Sequence, residues 1–276
     1  MYWFFGILIL VSIGYLLDRE VYFYEGVHLG PRVQAWLYDR WSRNYDEGKR
    51  ESQLHDDEML AQPLLDALNA LHVPEPFVLD FATGTGRLSS ALFNRPEFKG
   101  RVVALDLSQG MLEQAASKLR PHLSRFEMLR HVSLPLPFPD ASFDVVCALE
   151  VLELFPNMDE PLAEFARVLR PGGIFLSSRG TEESGRKAKV KHVPEYTATL
   201  ERHGFENIQV TKWWKIFDRT FAVKQGRSNP IGKCSLPDVL KCSVCGQVQW
   251  ERSANVLRCQ KCGRELPITK DGIVLN

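Results

Sequence analysis

Residues 78–88, VLDFATGTGRL, constrain the fold more than any other stretch of the chain. Val78 and Leu79 belong to an apolar run that stops on an acid, Asp80, then passes through small residues into a helical segment starting near Arg87. Such a run suits a parallel strand buried on both faces. Gly84 and Gly86 admit backbone angles and a close ligand approach that a side chain forbids. The unpaired amides and positive dipole end of the next helix then face a carboxylate or phosphate. This is the grip for a nucleoside cofactor. Gly84 and Gly86 fit the first two places of a dinucleotide fingerprint, but the third place is Ser89. Asp80, four residues before Gly84, suits a ligand that carries an ammonium group instead.

A chain of 276 residues, 45% hydrophobic and 25% charged, has room for one ordinary α/β domain and a smaller unit. Its 34 basic and 34 acidic side chains cancel, so no global field draws in nucleic acid, and such a partner would need a local patch. Strand and helix alternate through the middle of the chain. A strand over 101–106 ends on Asp106, twenty residues beyond Gly86, and a helix follows over 109–119. Strands are expected over 126–132 and through 144–149, a helix over 159–169, and a glycine turn at 171–173 into the next strand. A helix over 194–203 and strands over 205–211 and 215–224 complete the series.

VLDFATGTGRL, DLSQGML at 106–112, LPFPDASFDVV at 136–146 and VLRPGGIFL at 168–176 together resemble class I S-adenosylmethionine-dependent methyltransferases, over roughly two thirds of the chain. The core is similar to the ubiquinone and menaquinone C-methyltransferases. The resemblance implies a Rossmann-like α/β fold: a doubly wound seven-stranded sheet of order 3-2-1-4-5-7-6, its seventh strand antiparallel. It also implies that Asp80, Ala82, Thr83, Gly84 and Gly86 hold the methionyl part of the cofactor, that Asp106 accepts from both ribose hydroxyls, and that Leu107 and Met111 contact adenine. Residues 38–46, with Tyr45, resemble the segment that closes over the cofactor. One position departs: the family commonly has an Asp about four residues before LPF, and here Val132 stands between His131 and Ser133. Glu150 and Glu153 follow the fourth strand, at the edge where ligands sit in open α/β sheets, and are the catalytic candidates if the acceptor needs a base. Placing the acceptor at near-attack distance can supply much of the acceleration without one.

The two ends of the chain carry other signals. Residues 2–17, YWFFGILILVSIGYLL, hold no charge and are expected to attach to a membrane. Sixteen residues span only about 24 Å against a hydrocarbon core of about 30 Å, so the segment is read as spanning or partly inserting. Arg19 and Arg32 follow it, which places the catalytic domain on the cytoplasmic side. The alternative is a buried N-terminal helix. Cys242-x-x-Cys245 and Cys259-x-x-Cys262, with thirteen residues between the pairs, have zinc-ribbon spacing; four thiolates leave no open position, so the zinc is structural. This segment resembles small zinc-ribbon proteins that activate tRNA and rRNA methyltransferases. Five parts follow: a hydrophobic segment (1–20), a helical cap (21–75), the core (76–225), a linker (226–238) and a separately folding ribbon (239–276). A basic run at 186–192 is a solvated loop or a contact for lipid headgroups or phosphate. The expected function is methyl transfer to a small, lipid-soluble acceptor. The alternatives are an RNA or protein methyltransferase that uses the ribbon for contact, and an inactive scaffold.

Overall fold

The structure, a computed structural model, describes residues 2–184 and 191–276; most of the basic run lies outside them. The N-terminal part is helical: α1 (Tyr2–Asp18), α2 (Pro31–Trp41), α3 (Tyr45–Gln53) and α4 (Gln62–Ala70). The core alternates β1 (Phe77–Phe81), α5 (Arg87–Phe93), β2 (Arg101–Asp106), α6 (Gln109–Lys118), β3 (Phe126–Arg130), β4 (Phe143–Ala148), α7 (Asp159–Val168), β5 (Leu169–Gly180) and α8 (Val193–Arg202), then closes with β6 (Phe205–Trp214) and β7 (Phe217–Lys224). The last fifty residues add α9 (Leu236–Val239), β8 (Trp250–Arg252), β9 (Val256–Cys259), β10 (Glu265–Pro267) and β11 (Ile273–Leu275).

The doubly wound core forms as its sequence implies. β1 is buried along its whole length and pairs in parallel with β2 and β4. β7 runs antiparallel between β5 and β6. The sheet differs from expectation at one edge, where it has eight strands rather than seven, in the order β11-β3-β2-β1-β4-β5-β7-β6. The added strand comes from the cysteine-bearing segment. Ile273, Val274 and Leu275 pair in parallel with Met128, Leu129 and Arg130, covering an edge of β3 that would otherwise present unpaired amides.

The expected separation of residues 239–276 from the core is therefore corrected. Leu240, Leu257, Leu266, Ile268 and Val274 share one apolar cluster with Leu129, Leu136 and Phe138 of the core. Thirty-odd residues cannot bury enough apolar surface alone, and the core supplies the missing wall. Glu127 on β3 accepts from the Leu236 amide at 2.9 Å and pairs with Arg252 at 3.2 Å. The linker is tied down as well: buried Asp144 accepts from the amides of Ile231 and Gly232 while pairing with Arg170 at 2.6 Å.

At the other end, α1 projects from the domain with residues 3–18 exposed, so it is not the buried helix of the alternative reading. Among the described residues no helix is long and apolar enough to cross a membrane, which corrects the expectation of a transmembrane span. Seventeen residues rise about 26 Å, short of the roughly 30 Å hydrocarbon layer. The helical cap is also broken, near the end of α2 and again near the end of α3. Ser42 and Ser52 turn their hydroxyls onto the carbonyls of Asp39 and Lys49, at 2.9 and 2.8 Å, in competition with the helical pattern.

Candidate active site

β1 delivers the chain to a turn in which Ala82, Gly84 and Gly86 all take positive φ, at 53°, 55° and 79°. Asp80, at the strand tip, is buried and accepts from the hydroxyls of Thr83 and Ser89, each at 2.7 Å. Burial raises its pKa, and these two donors oppose the rise. Ser89, at the place of a third fingerprint glycine, thus holds the acid of the turn. Gly86 has a packing reason: a Cβ there would lie 3.2 Å from Leu119 Cδ1 and 3.3 Å from Ala115 Cβ. Met111 is fully buried and takes its place through an N–H bond to the Ser108 hydroxyl, the cap of α6.

Asp106 ends β2 facing the glycine turn. Its two oxygens accept from the amides of Gly84 and Ser108, both at 2.9 Å. Burial pushes its pKa up to about 6; the two amides oppose this, and the charge of Asp80 adds to it. A carboxylate fixed by backbone in this way keeps lone pairs for hydroxyl donors.

Around these groups lies a cavity of about 430 Å³, lined by Tyr45, Ala82, Gly84, Asp106 and Leu107 together with the His131–Leu134 segment. Asp80 and Thr83 line a narrow extension that shares Tyr45, Ala82, Gly84 and Glu150 with it. Gly86 and Met111 line neither space. A second cavity, about 420 Å³, is walled by Tyr22, Phe23, Trp41, Ile216 and Phe217, with buried Glu153 beside them. Tyr38, Tyr45 and Glu150 belong to both cavities. Tyr38, the first residue of the segment expected to close over the cofactor, and Gln34, which no sequence motif marks, reach the first cavity from α2. Their helical spacing, opposite Arg32 and Trp36, was the available signal.

The cap is locked onto this junction by polar contacts. Asp39 accepts from the Ser108 hydroxyl and the Gly110 amide, at 2.6 and 2.8 Å. Asp46 accepts from Thr85 at 2.5 Å and pairs with Lys118 at 2.7 Å. Glu150, in the left-handed region at φ 52°, pairs with Lys49 of the cap at 2.5 Å and with Arg87 at 2.7 Å. Arg87 also pairs with Asp56 at 2.6 Å. Tyr45 is held in this shell, its pKa raised first by burial and then by the charge of Glu150. Glu150 therefore bridges cap and core at the junction, and Glu153 sits in the wall of the second cavity.

Away from the junction, the sulfurs of Cys242, Cys245, Cys259 and Cys262 all lie within 4.8 Å of one another. Cys242–Cys262 and Cys245–Cys259 are 3.5 and 3.6 Å apart. Tetrahedral thiolates about 2.3 Å from a zinc ion would stand about 3.8 Å apart, so the set fits such an ion. The two knuckles repeat one geometry, with the Gly246 and Gly263 amides donating back to the Cys242 and Cys259 carbonyls at 2.8 and 2.9 Å.

Residues 79–177 match a family model described as a methyltransferase domain. The chain is 36% identical over 132 residues to the demethylmenaquinone methyltransferase of Lactobacillus johnsonii, covering 45% of this chain and 54% of that protein. It is 38% identical over 101 residues to the ubiquinone/menaquinone biosynthesis C-methyltransferase UbiE of Hahella chejuensis, covering 36% of this chain and 41% of that protein. It spans about half the length of the curated relatives it matches. Among solved structures, a complex between the Haloferax volcanii Trm112 methyltransferase activator and a methyltransferase matches with a TM-score of 0.50 and 21% identity, over 68% of this chain and 98% of that chain. That likeness concerns the fold. The sequence match spans the glycine turn together with β2 and β4, the strands on either side of β1, and makes residues 79–177 similar to a methyltransferase domain.

Proposed function

We propose that the chain is an S-adenosylmethionine-dependent methyltransferase acting on a small, lipid-soluble acceptor. The observation that carries this reading is the meeting of two cavities at Tyr38, Tyr45 and Glu150, one built around Asp106 and the glycine turn, the other walled by aromatic and aliphatic side chains with Glu25, Lys49 and Glu153 among them. S-adenosylmethionine, when bound, supplies an activated methyl group. Asp106 would accept from ribose hydroxyls, and Leu107 and the His131–Leu134 segment would flank the base. Asp80 keeps the turn in shape through Thr83 and Ser89, and adds negative charge behind it. Tyr45 and Glu150 fix the junction where donor and acceptor meet, and the closed cap excludes water. Glu153 is the candidate base for a hydroxyl acceptor.

The relatives act on quinone precursors by name, and the aromatic wall of the second cavity suits a flat apolar ring. Tyr22 and Phe23 of that wall directly follow α1, whose exposed apolar surface favours partial insertion into a membrane, with the domain on the cytoplasmic side. The four cysteines are read as a structural zinc site. The Haloferax volcanii neighbour is a complex with an activator protein, whereas residues 239–276 of this chain lie on the edge of their own core. This favours a stabilising role in cis over contact with an RNA substrate.

The test is transfer of labelled methyl from S-adenosylmethionine to a membrane lipid extract by the full chain. Label in the lipid fraction that disappears in Asp106→Ala supports the reading. Label found only in RNA or protein, or none with any acceptor, overturns it.

A further inference from the structure

α2 has two faces. Ala35 and Leu37 are buried, and Gln34 and Tyr38 line the cofactor cavity. The opposite face is bare. Leu29, Val33 and Trp36 are 47%, 36% and 56% exposed, and Arg32, Arg40 and Arg43 are exposed beside them. Positions 32, 33, 36 and 40 recur at three- and four-residue steps along α2 and form one stripe, with Arg43 in the tight turn that follows it and Leu29 just before Gly30, where the helix starts. Arg40 lies over the Trp36 ring, 5.5 Å from its centroid. Residues 29–44 contribute no exposed carboxylate to the stripe, because Asp39 is turned inward onto Ser108 and Gly110. In a chain whose total charge is zero, this is a local concentration of positive charge around an apolar ridge.

We propose that this face of α2 rests on an anionic lipid surface. Charge complementarity selects the occupant. Arginines near headgroups gain from anionic lipid, Trp36 matches the interfacial preference of indole, and Leu29 and Val33 supply shallow apolar contact. A protein partner could use the apolar ridge, but α1, bare and apolar along residues 3–17, ends at Asp18, shortly before Leu29 in the chain, and already favours lipid. The inference rests on the membrane reading of α1 and adds an orientation to it. With α2 lying on the headgroups, the two cavities stand one helix diameter, about 10 Å, above the lipid. An acceptor leaving the bilayer then reaches the second cavity past Tyr22 and Phe23, which line it.

Co-sedimentation of the full chain with vesicles tests this, using phosphatidylcholine alone against an equal mixture with phosphatidylglycerol. Binding is expected on both, and at least about tenfold tighter on the anionic vesicles, with the difference fading as salt is raised. R32E/R40E/R43E should bind both vesicles alike at the neutral-vesicle level, with cofactor affinity unchanged as the check on folding. Trp36→Ala should weaken binding to both. Equal binding of the native chain to both vesicles, or an anionic preference that survives in the triple variant, overturns the proposal while α1 insertion stands. Binding to neither overturns both.

Discussion

Asn276 and His131 join the end of the cysteine-bearing segment to the wall of the cofactor cavity: Asn276 Nδ2 lies 3.2 Å from His131 Nδ1, and the Asn276 amide donates to the Arg130 carbonyl at 3.2 Å. Burial lowers the pKa of His131, favouring the neutral ring, and with Asn276 donating, its Nδ1 accepts. His131 lines the cavity that holds Asp106 and Leu107.

The metal site should therefore act on cofactor binding. If zinc holds the four cysteines, its removal loosens β10 and β11 and uncovers the edge of β3. Chelation, or Cys242→Ser, should weaken S-adenosylmethionine binding by about five- to a hundredfold, the usual span of coupling between sites. Cys147→Ser, in the middle of β4, should retain the metal. Identical cofactor affinity before and after chelation would show the two parts to be independent.

Asp144→Ala should be among the most destabilising single changes in the chain. It strands the buried guanidinium of Arg170 and frees the amides of Phe77, Ile231 and Gly232 at once. Breaking one side of such a pair costs about 3–5 kcal/mol. Denaturant unfolding measures it, and a loss under about 1 kcal/mol would mean that water reaches Arg170 in the variant.

Glu150→Gln should leave Arg87 and Lys49 facing each other without their shared anion. Because the pair bridges cap and core beside Tyr45, turnover should fall by roughly ten- to a hundredfold, while the pH profile keeps its shape. A loss of the basic limb of that profile would instead identify Glu150 as the base.

The titration of Asp106 gives a pH signature. Its pKa is about 6 in the fold against an ordinary carboxyl value of 3.8, so the folded state holds the extra proton between those values. Its contribution to stability thus falls as pH rises from about 4 to about 6, and is constant above. Cofactor affinity runs the other way, since the ionised form accepts from two hydroxyls: it should rise through pH 6 and level off. Asp106→Asn should flatten that rise, read by titration at several pH values.

The glycine turn was legible because each residue answers a local demand: the positive φ of Gly84, the strand-tip acid Asp80 and the second strand ending on Asp106 are all written within thirty residues. The resemblance implies ligand contacts for Gly86 and Met111, whereas a side chain at Gly86 would meet Ala115 and Leu119 of α6 and Met111 is fully buried, and spacing alone does not separate the two uses. The eighth strand was not legible. Ile273, Val274 and Leu275 form too short a run to announce a partner, and nothing near them in sequence names β3. The junction escaped for the same reason: Lys49 and Glu150 stand 101 residues apart, and only the folded chain shows them bonded.

The central claim, that the cavity around Asp106 and the glycine turn holds S-adenosylmethionine, is tested most directly by calorimetric titration of the full chain with that molecule and its demethylated product. Both should bind in the micromolar range, about that of ordinary cofactor sites, and Asp106→Ala should weaken both by roughly ten- to a hundredfold through loss of a buried charged hydrogen-bond acceptor. No heat with either molecule, or binding unchanged in Asp106→Ala, would contradict the account.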